Sequence, residues 1–238
     1  MSELNMRSFL PHDELSKKIW EDDENMRPDV QKALENIANE FLNYLKIDVD
    51  VEDVTFTGSY ANYNYTPYSD IDLHIVIDFD KISSDEDLVE GFMNAKKSYW
   101  NDRYDITVND IEVEIYPQDS SEEHVSSGIY SIDQEKWIIK PEKFQKEPNL
   151  NSANKKFQML KREISSAIET EDLASVERLI KKIRDMRKSA LSKSGEMSVE
   201  NIAYKMLRSE NLIQKMYDLK FNLYGDSISL WLIILLIE

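Results

Sequence analysis

Residues 70–78 alternate with a period of two. Ile71, Leu73, Ile75 and Ile77 fall on one face and Asp70, Asp72 and His74 on the other. Such a pattern predicts a strand whose apolar face is buried and whose acids are held side by side. Residues 54–57 predict a shorter strand running into a Gly58-Ser59 turn, with a helix or loop over 60–66. Ile111–Tyr116 repeats the alternation, with Glu112 and Glu114 on one face and Val113 and Ile115 set between them. Tyr104–Val108 and Trp137–Ile139 predict two further strands, with a turn at Asn109-Asp110 and Pro141 ending the last. Elsewhere the period is helical. Val30, Leu34, Ile37, Phe41 and Leu45, opened by Pro28, predict a helix over 28–46. Leu88, Phe92, Ala95 and Tyr99 predict another over 85–100, and residues 12–20 also read as helical.

From about Asn151 the helical period persists. Phe157, Leu160, Ile164 and Ile168 form one stripe, and Leu173, Val176, Ile180, Ile183 and Met186 a second. A third runs through Val199, Ile202, Met206, Ile213 and Met216, with Asp172 and Ser198 as helix caps. Strands dominate the first part and helices the second. The expected class is therefore α+β: a small mixed sheet flanked by helices over residues 1–148, then a helical domain over 149–238. The stretch Lys143–Asn154, which contains Pro148, is the expected boundary. A cleft between the two domains is the expected place for ligands.

Charge sharpens that division. The chain of 238 residues carries a net charge of −17, which argues against nonspecific coating of DNA. Residues 1–150 hold 14 Lys and Arg against 34 Asp and Glu, whereas residues 151–222 hold 15 against 10. The acidic half contains the Asp-x-Asp strand. No cysteine is present, so a disulfide framework, a thiolate zinc site and a cysteine nucleophile are excluded, and an intracellular setting is expected. The first residues show no apolar signal segment. The apolar run Leu230–Ile237 is far shorter than the roughly 20 residues a membrane-spanning helix needs; it reads as a buried final segment or an oligomer contact.

The chemistry resides in the acids. Two carboxylates about 7 Å apart along one strand repel, and a divalent cation relieves that repulsion. A third acid on a later alternating strand would complete a site for two cations; Glu114 is preferred, with Glu112 the alternative on the same face. Backbone amides of the Gly58-Ser59 turn suit phosphate oxygens. Two divalent ions beside a phosphate can stabilise both the attacking and the leaving oxygen of an in-line displacement. His74 shares the acids' face, either supporting a ligand or serving the fold. His124 reads as a loop residue. Asn62, Tyr63, Asn64 and Tyr65 either contact a base or pack over the loop, and Lys140 and Lys143 are candidate triphosphate contacts.

Gly58-Ser59, ten residues, then Asp70-Ile71-Asp72-Leu73, with Val113-Glu114-Ile115-Tyr116-Pro117 downstream, resembles the signature of the DNA polymerase β-like nucleotidyltransferase superfamily. The wider wording (TGSYANYN, SDIDLHIVIDF, EVEIYPQD) is similar to the small stand-alone nucleotidyltransferases of tailed phages. The resemblance implies an NTP such as ATP as donor, Mg²⁺ or Mn²⁺ as cofactor, and transfer of a nucleoside monophosphate to an acceptor hydroxyl with release of pyrophosphate. Asp70 and Asp72 would bind both metals. Glu114 would bind the catalytic one, although many members carry Asp there. Gly58, Ser59, Asn62 and Ser69 would contact the nucleotide. The cytoplasm is the implied location, the host's if the chain is phage-encoded. The acceptor is left open among RNA such as tRNA, protein and small molecules. Two other classes remain: a catalytically silent NTP-binding module, and an RNA-binding module gripping RNA through Lys155, Lys156, Lys161, Arg162, Lys181, Lys182, Arg184, Arg187 and Lys188.

Overall fold

The computed structural model describes residues 4–122 and 126–235, with Ser227 and residues 230–235 described by their backbone alone. His124 and the side chains of the apolar C-terminal run therefore lie outside the described residues. The chain forms two compact units, Pro11–Gln145 and Met1–Leu10 with Lys146–Glu238. The fold is α+β, as the change of period predicts: a six-stranded mixed sheet in the first unit and a helical second unit.

In the first unit, β1 (Val51–Thr57) pairs antiparallel with β2 (Ile71–Ile77), and β2 pairs parallel with β4 (Ile111–Asp119). A parallel neighbour needs a crossover, which α2 (Glu86–Arg103) supplies. The two-residue β3 (Thr107–Val108) flanks β4, while β5 (Ile129–Ser131) and β6 (Lys136–Ile139) extend the sheet beyond β1. The alternation of β2 is realised in the packing, since Ile71, Leu73, Ile75 and Ile77 are all buried. Against them packs α1 (Pro28–Leu45), which buries Val30, Leu34, Ala38, Phe41 and Leu45 and ends in a left-handed Lys46.

Three expectations are corrected. Residues 12–20 do not form a helix. Ile19 and Trp20 both donate their N–H to Ser16 O, closing one turn, and Trp20 then bridges Met26. Nucleating so short a helix is costly, and tertiary anchors win: Leu15, Ile19 and Trp20 are buried, and the Trp20 indole donates to Tyr60 O at 2.8 Å. In α2 the buried residues are Val89, Met93 and Trp100, while Leu88 and Tyr99 of the apolar stripe are exposed. Trp100 sets that rotation by packing on Phe41 and Tyr44 at 5.4 and 5.3 Å. The strand expected from Tyr104 begins only at Thr107, because the Tyr104 N–H caps α2 on Trp100 O. Sequence alternation also missed β5, three residues long.

Past β3, the outer edge of β4 is covered rather than bare. Asn101 of α2 both donates to Ile115 O and accepts from Ile115 N, each at 3.1 Å, in the manner of a neighbouring strand. This double bond ties α2 to the middle of β4.

The second unit contains α3 (Leu150–Thr170), α4 (Leu173–Ser194), α5 (Val199–Ser209) and α6 (Leu212–Leu235). Asp172 and Ser198 cap α4 and α5 through side-chain bonds to backbone amides. The third stripe is divided between α5 and α6, where Asn211 adopts φ 59°. Of the cations proposed for RNA, Lys156, Lys161, Lys181 and Lys182 are paired with Glu200, Glu210, Asp185 and Glu163. No helix among the described residues is long and apolar enough to cross a membrane.

Candidate active site

The parallel register of β2 and β4 sets Asp72 directly opposite Glu114. Asp70 stands one residue before β2 on the same side. Together Asp70, Asp72 and Glu114 offer carboxylate oxygens that all lie within 4.8 Å of one another, with Asp70 buried and the other two partly exposed. Glu112 is exposed on the stretch of β4 that faces β3, where it pairs with Thr107.

Gly58 brings the turn after β1 against these acids. Its backbone, at φ 81° and ψ −160°, lies in a region essentially reserved for glycine. A Cβ at this position would come within 1.8 Å of Asp72 Oδ2. The glycine is therefore required twice, by conformation and by proximity. Ser59 opens a single 3-10 turn, Ser59–Ala61, immediately after it.

The loop leading to Asp70 is held from several sides. Asn62 donates its side-chain amide to Ser127 Oγ at 2.6 Å and accepts from the Tyr63 N–H at 2.7 Å. Ser69 Oγ accepts from the Thr66 N–H at 3.0 Å, and the Ser69 N–H returns to Thr66 O. Gly128 passes so close behind the turn that a Cβ there would lie 2.0 Å from Ala61 O. Tyr65 is stacked on both His12 and Tyr60, and Tyr63 and Asn64 are buried. The asparagines and tyrosines of this loop thus pack it in place. Lys140 is paired with Glu24, and Lys143 lies over the Tyr63 ring.

Two side chains that sequence reading passed over adjoin the acids. Tyr116 lies two residues beyond Glu114 on the same strand face and donates its hydroxyl to Glu114 Oε2. Burial, reinforced by the charges of Asp72 and Glu114, pushes the Tyr116 phenol far above its ordinary range, so it remains a donor. His74, opposite Tyr116 in the register, stacks on its ring at 5.1 Å and bonds Gln118 Oε1 through Nδ1 at 2.8 Å. The polar row Gln118–His74–Tyr116 thereby braces Glu114. Lys97 of α2 lies 4.3 Å over the Tyr116 ring. Burial lowers the Lys97 pKa, while Glu114 and Asp72 act in the opposite sense. The strand alternation could have revealed Tyr116. Lys97 arrives only through the packing of α2.

The donor set fits a hard divalent cation. It is all oxygen and triply acidic, and Asp72 and Glu114 are partly exposed. Comparison with curated proteins returns no match, and comparison with solved structures returns none. A family profile described as nucleotidyltransferase domain matches residues 36–165, more than half of the chain, spanning the Gly-Ser turn and all three acids. Register, turn and family profile agree, and the chain belongs to the nucleotidyltransferase domain family, within the polymerase β-like superfamily.

Proposed function

We propose that the protein transfers a nucleoside monophosphate from an NTP to an acceptor hydroxyl, releasing pyrophosphate, with Asp70, Asp72 and Glu114 holding Mg²⁺ or Mn²⁺. The observation that carries this reading is the convergence of three carboxylates, from β2, the residue before it and β4, beside a glycine that must lack a side chain. Divalent cations bound there would neutralise the triphosphate and make the α-phosphorus more electrophilic.

The chain's own part is positioning. The strand register holds Asp72 and Glu114 side by side, and the Ser69–Thr66 bonds deliver Asp70 to the same edge. The Gly58-Ser59 amides receive phosphate oxygens at the start of the 3-10 turn. Asn62 and Ser69 serve the nucleotide by fixing the loop that carries Ser59 and Asp70. Tyr116 holds the longer Glu114 side chain in one orientation, compensating for the extra methylene relative to Asp. Glu114 would help activate the acceptor hydroxyl. Preorganised charge and orientation supply most of the barrier reduction in such transfers.

The test is pyrophosphate release by purified protein with each NTP, Mg²⁺ or Mn²⁺, and a pool of RNA, protein and metabolites, the α-phosphate being labelled. A labelled acceptor that disappears with Asp72→Asn and with chelator supports the reading. Label transfer that persists in folded Asp72→Asn refutes it. Nucleotide binding without transfer would leave the silent NTP-binding class in its place.

A further inference from the structure

The helical unit holds a cavity of about 390 Å³ between α4, α5 and α6. This falls within the size range of small-molecule pockets. Ile180 and Ile183 of α4 and Ile213 and Met216 of α6 give it an aliphatic floor. Arg184, Arg187 and Lys188 of α4 stand around it, and no carboxylate is among the described residues that line it. The charged residues of that lining are all cations, in a chain of net charge −17.

Of the acids near them, Asp185 pairs with Lys181 while its charge also acts on Arg184 and Lys188, and Glu177 pairs with Lys220. Arg187 lies over the Tyr204 ring at 4.3 Å, which fixes its guanidinium plane. Its Nε is buried and has no hydrogen-bond partner among the described residues. A buried donor of this kind is costly unless an acceptor joins it. Arg184 donates to the Tyr217 hydroxyl at 3.4 Å.

We propose that this cavity binds an anionic amphiphile, with an apolar tail on the isoleucine and methionine floor and a carboxylate or phosphate head on Arg184, Arg187 and Lys188. A nucleobase is a poor occupant of that floor, because its polar edges would meet aliphatic carbon and stay unpaired. A plain hydrocarbon would leave the three cations without a counter-charge. The proposal does not rest on the nucleotidyl-transfer chemistry.

The experiment is calorimetric titration of the full chain with decanoate, decyl phosphate, decanol and decyltrimethylammonium, each kept below its micelle-forming concentration. Decanoate or decyl phosphate binds saturably at one site, about tenfold or more tighter than decanol, and the ammonium does not bind. Comparison of the two anions distinguishes a carboxylate from a phosphate head. Arg187→Gln with Lys188→Gln weakens the anions about tenfold and leaves decanol unchanged, whereas Ile183→Trp, which fills the floor, weakens all of them. Equal affinity for decanol and the anions overturns the proposal, as does anion binding that survives both variants. Displacement of decanoate by ATP with loss of both in Ile183→Trp overturns the assigned ligand class.

Discussion

Gly58→Ala separates two consequences of one methyl group. The first is conformational. With φ at 81° and ψ at −160°, alanine is strained by about 1–3 kcal/mol. For a chain of this size each kcal/mol lowers Tm by about 2–4 °C, so a loss of roughly 2–12 °C is expected. The second is steric. The new Cβ would lie 1.8 Å from Asp72 Oδ2 and 2.9 Å from its Cγ. Ordinary contact needs about 3.5 Å, so the carboxylate must retreat by about 1.7 Å. It can do so by rotating its side chain, which spares the fold but breaks up the acidic cluster. Misplacement of reacting groups by about 1 Å costs on the order of 100-fold. Gly58→Ala should therefore stay folded, bind Mn²⁺ weakly by electron paramagnetic resonance, and release pyrophosphate about 100-fold more slowly. Gly91→Ala is the control: its Cβ meets open space on α2, and alanine there should raise Tm slightly. A folded Gly58→Ala protein with Mn²⁺ affinity and turnover equal to the unaltered chain would refute the steric argument.

Other perturbations follow from the same site. Tyr116→Phe removes the hydroxyl donated to Glu114; bonds to charged groups are worth about 1.5–3 kcal/mol, so Mn²⁺ affinity should fall by about tenfold or more by the same titration. Because burial keeps the Tyr116 phenol protonated beyond its ordinary range, the native state holds a proton that the unfolded chain gives up. Stability due to Tyr116 is thus full below a pH of about 10 and declines above it; urea melts should show a shallower alkaline decline for Tyr116→Phe. Lys97→Gln withdraws the cation beside Glu114 and Asp72, so Tm should drop in chelator and recover on adding Mn²⁺. Asn101→Ala frees both backbone groups of Ile115 from their side-chain partner, and chemical melts should show a loss of about 1–3 kcal/mol.

Where a residue's role depends on its own strand, the sequence was sufficient. Alternation placed Asp70 and Asp72 on one side and buried Ile71, Leu73, Ile75 and Ile77 on the other. The acidic partner on β4 was narrowed to Glu112 or Glu114 by sequence, and only the register with β2 sets Glu114 opposite Asp72. Contacts that span the fold were illegible. Lys97 reaches the acids because Trp100 and Asn101 dock α2 on α1 and β4, which rotates the helix away from its apolar stripe. The segment 12–20 has helical spacing, yet its large side chains find partners in the core before its backbone can extend a helix. Short strands such as β5 owe their existence to neighbours, since three residues carry too little pattern to be read alone.

The central claim concerns ions at the meeting of β2 and β4. Crystals grown with Mn²⁺ and a non-hydrolysable NTP, measured at the manganese absorption edge, address it directly. Anomalous density within coordinating distance of Asp70, Asp72 and Glu114, with triphosphate oxygens against the Gly58-Ser59 amides, is the expected result. Nucleotide bound elsewhere, with no manganese signal at those three carboxylates, would contradict it.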